Sequence, residues 1–179
     1  HQWPILLRFP ASLLSICAGT CAQSMLWKAV KYNVNINDAV NIPESLLMFV
    51  WIVGLLVYIT SVSLYMLKIK YWRGAVCREM LHPLRYNFYA IIILAPLFLS
   101  LGAPKSITDA TCSGNKTVPP SFAYVMTVLQ VVFNLCTYRT WLRPSSNFKI
   151  NHDMNPGFQL SFVGNFIVAV VLGRAELYE

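Results

Sequence analysis

Five stretches of this chain, each roughly the length needed to cross a bilayer as a helix, contain no Lys, Arg, Asp or Glu. They run from Phe9 to Trp27, Ser45 to Leu67, Tyr86 to Pro104, Thr117 to Tyr138 and Met154 to Gly173. A bilayer's hydrocarbon core is about 30 Å thick, and at about 1.5 Å rise per residue a spanning helix needs about 20 apolar residues. Inside hydrocarbon every backbone amide must be paired within the protein, so runs of this length and character are expected to be helices. Composition points the same way. Of 179 residues, 56% are hydrophobic and 12% charged, against about 25% charged in soluble domains. Too few polar groups remain to cover a water-soluble fold, which excludes a cytosolic enzyme and a disordered chain. The expected fold class is an all-α integral membrane protein, a single domain over residues 1–179 with five transmembrane helices.

Lys and Arg in short loops stay on the cytoplasmic side of a membrane. One side collects Arg8, Lys68, Lys70, Arg73, Arg78, Arg85, Arg139, Arg143 and Lys149, nine cations. The other collects Lys28, Lys31, Lys105, Lys116 and Arg174, five. The bias predicts a cytoplasmic N-terminus and an outward end to the fifth span. Asn115-Lys116-Thr117 is an N-glycosylation triplet in the third loop, which this topology puts outside. The first window also has features of a signal peptide, with Arg8, an apolar run and small residues near Ala22. Pro10 at its start and further apolar residues to Trp27 favour a retained helix. The chain opens at His1 rather than Met, which is expected of a fragment or a processed product.

Catalytic chemistry has no visible site. The five cysteines, Cys17, Cys21, Cys77, Cys112 and Cys136, are scattered. Only Cys112 falls in a loop predicted to be outside, so no disulfide between outside loops is expected. Cys17 and Cys21 read as packing residues one turn apart, too few ligands for a metal. His82 and His152 flank helix starts, which argues against axial haem ligation inside a bundle. The phosphate-binding, dinucleotide, zinc-protease and nucleophile-elbow motifs are missing, and none of the seven Asp and Glu residues lies within a span. A proton-driven pump or intramembrane hydrolase ordinarily needs ionisable groups there. No enzyme activity, cofactor or metal is expected.

Polar residues inside the spans are more informative. Ser12, Ser15, Gly19 and Gln23 share one face of the first span, since spacings of three and four fall on one side of a helix. Thr127, Gln130, Asn134 and Thr137 make a similar stripe on the fourth, and Ser161, Gly164, Asn165 and Val168 one on the fifth. A face of this kind can line an aqueous path, and small or weakly polar residues are equally the ordinary glue between membrane helices. The amide of Asn165, near mid-membrane, needs a partner in water, a ligand or a neighbouring helix. The first, third and fifth spans all start on the predicted cytoplasmic side. Those starts carry Arg8-Phe9-Pro10, His82-Pro83-Leu84-Arg85 and Asn155-Pro156. Proline suits a first helical turn, and helix N-termini attract anions through their unpaired amides. Arg8, His82, Arg85 and Asn155 are therefore the candidate residues of an inner anion vestibule, and equally candidates for plain helix-start and interface anchoring.

These same residues resemble a known family. Arg8-Phe9-Pro10, then Leu81-His82-Pro83-Leu84-Arg85-Tyr86-Asn87-Phe88, Tyr138 through Leu142, Asn155-Pro156 and Ser161-Phe162-Val163-Gly164-Asn165-Phe166 are similar, in the same order, to plant slow (S-type) anion channels of guard cells. The wider family includes tellurite-resistance proteins and a malate or sulfite transporter branch. The resemblance implies a ten-helix protomer of five hairpins, odd helices lining a central pore and even ones outside, of which this chain is the N-terminal half. It implies trimers with one pore per protomer and passive chloride or nitrate flow across the plasma membrane, with malate in some branches. On this reading Ser12, Ser15, Gly19, Gln23, Ser161, Gly164 and Asn165 line the pore, while the stripe of the fourth span is packing.

Two departures from the family pattern are plain. The chain ends at Glu179 after five spans, so a closed pore from one copy is not expected. Ile91 and Ile92 stand where the family tends to carry a proline, and Pro96 comes later. Two alternative readings stay open: a non-conducting membrane interaction partner or fragment of such a channel, and a dicarboxylate or sulfite carrier.

Overall fold

The computed structural model describes residues 9–32, 42–111, 118–141 and 159–176, and among these all regular structure is helical. Arg8, Cys112, Asn115, His152, Asn155 and Pro156 lie outside the described residues. A 3-10 turn at Ala11–Leu13 leads into α1, Leu14–Tyr32. Next come α2, Glu44–Tyr71, α3, Arg73–Met80, and the four-residue α4, Pro83–Tyr86. A second 3-10 turn, Asn87–Tyr89, separates α4 from α5, Ala90–Gly102. The rest are α6, Lys105–Thr111, α7, Pro120–Trp141, and α8, Leu160–Glu176.

By length and composition two helices among the described residues are sufficient to cross a membrane, Glu44–Tyr71 and Pro120–Arg139. Asn87–Gly102 and Phe162–Arg174 are apolar but shorter. The 19 residues of α1 are long enough, but Ser, Thr, Gln and Lys dilute its apolar character. The two long helices also place large apolar groups outward, among them Phe49, Leu56 and Met66 on α2 and Val128 and Leu135 on α7. A helix apolar around its whole circumference suits a lipid surround rather than water.

Helix α5 is the hub, with contacts to α1, α2, α7 and α8. Its Ala90, Ile91, Leu94, Ala95 and Leu99 join Leu14, Cys17 and Cys21 of α1 in one core, while Leu97 and Leu101 join Val168 and Val171 of α8 in a second. On α1 the buried positions are Leu14, Cys17, Cys21, Ser24 and Lys28, alternately three and four apart, which defines a single packed face. Small residues bring backbones together at these seams. A methyl group on Gly102 would collide with Ser24 and with the backbone of Met25. Gly54 lies against Cys21 Cα, 3.5 Å from where its own Cβ would be, and the Cys21 thiol points at the Gly54 carbonyl, 3.5 Å away.

Pro96 sits inside α5. Lacking an N–H, it leaves the carbonyl of Ile92, four residues earlier, without its helical donor. The Tyr58 hydroxyl of α2 donates to that oxygen at 3.3 Å. One turn beyond Pro96, the Trp51 indole N–H donates to the Leu99 carbonyl at 2.9 Å. Two α2 side chains thus serve α5 carbonyls on both sides of its proline.

The other end of α2 carries a buried ionic network. Lys68 is fully enclosed, and its ammonium meets the Glu79 carboxylate at 2.7 Å and the Phe9 carbonyl at 2.6 Å. Glu79 also accepts from the Tyr65 hydroxyl at 2.8 Å, and Tyr65 is hydrogen-bonded in turn to Tyr89. A cation read from sequence as one of many solvated loop charges is therefore an internal tie. It is tolerated because a carboxylate and a backbone carbonyl both accept from its ammonium.

Candidate functional site

The beginnings of the odd spans gather at one end. The Asn87–Tyr89 turn touches the Ala11–Leu13 turn, and α8 packs on both that turn and α5. Pro83 occupies the first turn of α4 with His82 as its N-cap, as expected from its missing N–H. His82 and Arg85 are both exposed there. The third span does not, however, begin as one continuous helix. Four α-helical residues give way to the 3-10 turn before α5 begins, so the dipole attributed to a long helix starting at Pro83 is interrupted. Arg8 and Asn155, the other vestibule candidates, lie outside the described residues.

The α1 stripe keeps its expected geometry. Ser12, Ser15, Gly19 and Gln23 are all exposed and occupy the face away from the Leu14–Cys17–Cys21 seam. A methyl group on Gly19 would meet nothing within 4 Å. The Ser15 hydroxyl donates to the Ser12 carbonyl, 2.5 Å away, a local bond that gives a serine hydroxyl a partner without drawing it into another helix.

The fifth-span stripe is placed differently from the sequence expectation. Gly164 is buried and faces the Gln130 side chain of α7 so closely that a methyl group would strike it. The Asn134 amide donates to Asn165 Oδ1 at 2.6 Å, and Gln130 donates to Asn134 at 3.3 Å. Two polar stripes therefore meet, Gln130 and Asn134 from one helix and Gly164 and Asn165 from the other. The physical reason is the cost of an unpaired amide in apolar surroundings, which a facing amide removes. Thr137, also on the α7 stripe, is buried and donates to the Phe133 carbonyl at 2.8 Å.

Cys17 and Cys21 face each other with sulfurs 4.0 Å apart in the α1 seam. Among the described residues no group of three or more His, Cys, Asp or Glu could hold a metal ion. Sequence reasoning missed the cationic groups that assemble at the far end of the bundle. Lys28, Lys105 and Arg174 come from three helices and border one cavity. Their common side was legible from topology, whereas their convergence required α1 and α8 to pack on α5, which leads directly into α6.

Comparison with known proteins fits this architecture. The sequence model of the SLAC1 family, voltage-dependent anion channels, matches residues 8–177. The chain belongs to that family of membrane anion channels. It is 30% identical over 179 residues to the S-type anion channel SLAH3 of Arabidopsis thaliana, covering 99% of this chain and 27% of that protein. It is also 30% identical over 174 residues to the guard cell S-type anion channel SLAC1 of the same plant, covering 97% of this chain and 30% of the relative. The chain thus spans less than a third of the length of these relatives.

Proposed function

We propose that this chain contributes part of a passive anion conduit for chloride and nitrate in a plasma membrane. On this reading five helices, including α1, α5 and α8, cross the bilayer and the N-terminus is cytoplasmic. The observation that carries the reading is the exposed α1 face of Ser12, Ser15, Gly19 and Gln23, held in place by an opposite face packed into the core. Small and hydrogen-bonding groups without a fixed charge suit ion passage, because binding must be weak enough for release. Arg85 and Arg8 raise the local anion concentration at the entrance. Asn165, already engaged by Asn134, stands at the edge of this path, with Gly164 in the packing seam and Ser161 one turn nearer the vestibule.

A second reading, a membrane chain that conducts only together with further helices, draws support from the partial span of its relatives. It predicts assembly with the remaining helices, within a trimer as the resemblance implies.

Anion current in oocytes tests both, with surface expression verified. Chloride or nitrate current whose reversal potential follows the anion gradient supports conduction by this chain. Silence that is relieved by co-expressing the remaining helices of a full-length relative supports the second reading. Silence in both conditions overturns the conduit, and saturable flux coupled to a second solute makes the protein a carrier. Gly19→Leu fills open space, so it is expected to cut current at least tenfold with unchanged surface expression.

A further inference from the structure

At the end of the bundle opposite Arg85 lies a cavity of about 250 Å³ walled by α1, α5, α6 and α8. Its charged lining is cationic, Lys28, Lys105 and Arg174, and Tyr32 and Thr108 add hydroxyl groups to otherwise apolar walls. Each cation is held by a different helix, so no single stretch of sequence accounts for the cluster. No carboxylate lines the cavity among the described residues. Glu44, the acidic group acting on Lys28 from α2, is engaged by Lys31 at 2.6 Å.

The positions of the three head groups are fixed to different degrees. Lys28 is only 8% exposed and donates to the Ala103 carbonyl at 2.7 Å, just beyond the C-terminus of α5. That contact explains why a lysine is tolerated there, since C-terminal carbonyls attract cations. It does not account for the other two. Lys105 lies over the Tyr32 ring, 4.7 Å from its centre, and Arg174 stands exposed on the last turns of α8. Burial, followed by the positive charges of Arg174 and Lys105, pushes the Lys28 ammonium down to about 8. The three cations thus repel one another around a space that contains no counter-charge from the lining.

We propose that this cavity binds a small oxyanion, a carboxylate or an inorganic anion with several oxygens, between Lys28, Lys105 and Arg174. The planar fork of a guanidinium matches two oxygens at once, which a spherical halide does not offer. The two ammonium groups supply further charge-assisted donors, and an anion at their centre relieves their mutual repulsion. The site is separate from the α1 stripe and concerns binding rather than passage, so it stands or falls independently of conduction.

The test uses the whole chain in lipid nanodiscs, with sodium nitrate and sodium acetate as probes at constant ionic strength balanced by chloride. The unfolding midpoint is followed as probe replaces chloride, because a ligand that binds the folded state raises it. The midpoint is expected to rise in the parent. Apparent affinity is expected to fall at least tenfold in Arg174→Gln and Lys105→Gln, both exposed positions, and to be unchanged in Arg78→Gln, an exposed cation of α3. A response to one probe alone identifies which oxyanion class the site accepts and supports the proposal. No rise above chloride overturns it, as does an equal rise in the parent and in both cavity variants. Loss in Arg78→Gln with retention in Arg174→Gln overturns it by locating binding at the other end. Current is not part of the readout, so a silent chain that shows the shift retains the site, and a conducting chain without it loses only the site.

Discussion

Lys28 shows how one residue can serve a helix end and still strain the fold electrostatically. Its bond to the Ala103 carbonyl does not depend on charge, because a neutral amine also donates. Its charge is opposed by burial and by Arg174 and Lys105, with a weaker favourable influence from Glu44. The consequence for stability has a definite sign. Below pH about 8 the folded chain holds Lys28 charged against these influences. Between there and the value of about 10.4 typical of a free lysine, the unfolded chain binds the proton that the folded chain has released, so stability rises with pH. The stability difference between parent and Lys28→Met is expected to shift in the parent's favour from pH 7 to pH 10, by at most about 3 kcal/mol. Thermal unfolding of both proteins in chloride buffers, across that range, checks it. A flat difference would mean that the ammonium is solvated.

At the scale of helices, the α1–α5 seam is tightly packed, and a glycine inside it and one on the opposite face of α1 predict opposite outcomes. Gly102→Ala puts a methyl group 2.6 Å from the Met25 backbone nitrogen, which cannot rotate aside as a side chain could. A destabilisation of about 1–3 kcal/mol is expected. Gly19→Ala meets nothing within 4 Å and gains helix propensity, so a neutral change or a gain of up to about 1 kcal/mol is expected. Unfolding midpoints of the two variants in nanodiscs compare them directly, and equal midpoints would refute the tight seam. The donors around Pro96 give a second test. Tyr58→Phe removes the donor to the Ile92 carbonyl, at an expected cost of about 1 kcal/mol. Pro96→Ala restores an N–H to that carbonyl, so in its background the Tyr58→Phe cost is expected to fall to near zero. A double-mutant cycle measures the coupling, and additive costs would refute the pairing.

Helices were legible in the sequence where charge is missing over a long run, as in α2 and α7, because the bilayer requirement acts on composition alone. The α1 stripe was legible for a similar reason, since spacing of three and four is a property of one helix. What spacing does not contain is the neighbour. Gly164 and Asn165 follow the same periodicity as the α1 residues, yet α7 presents amides to them, so their surroundings depend on a partner helix. The short helices α3 and α6 sit in segments that read only as charged loops, and the 3-10 turn at Asn87–Tyr89 has no breaker residue to announce it.

For the molecule as a whole, orientation decides which compartment each end meets. A glycan-acceptor tag added after Glu179 is expected to be modified during synthesis into microsomes, and one added before His1 is not. The reverse pattern would invert the topology and expose the Lys28–Lys105–Arg174 cavity to the cytoplasm. The buried tie at the other end has a mechanical consequence. Lys68 joins α2 to Glu79 of the adjacent α3 and to the backbone of Phe9 ahead of α1, which is remote in sequence. If Phe9 withdraws, the enclosed ammonium loses one of its oxygen partners. Partial displacement is therefore disfavoured. Force applied to the segment entering α1 is therefore expected to reach both α2 and α3 through this one ammonium.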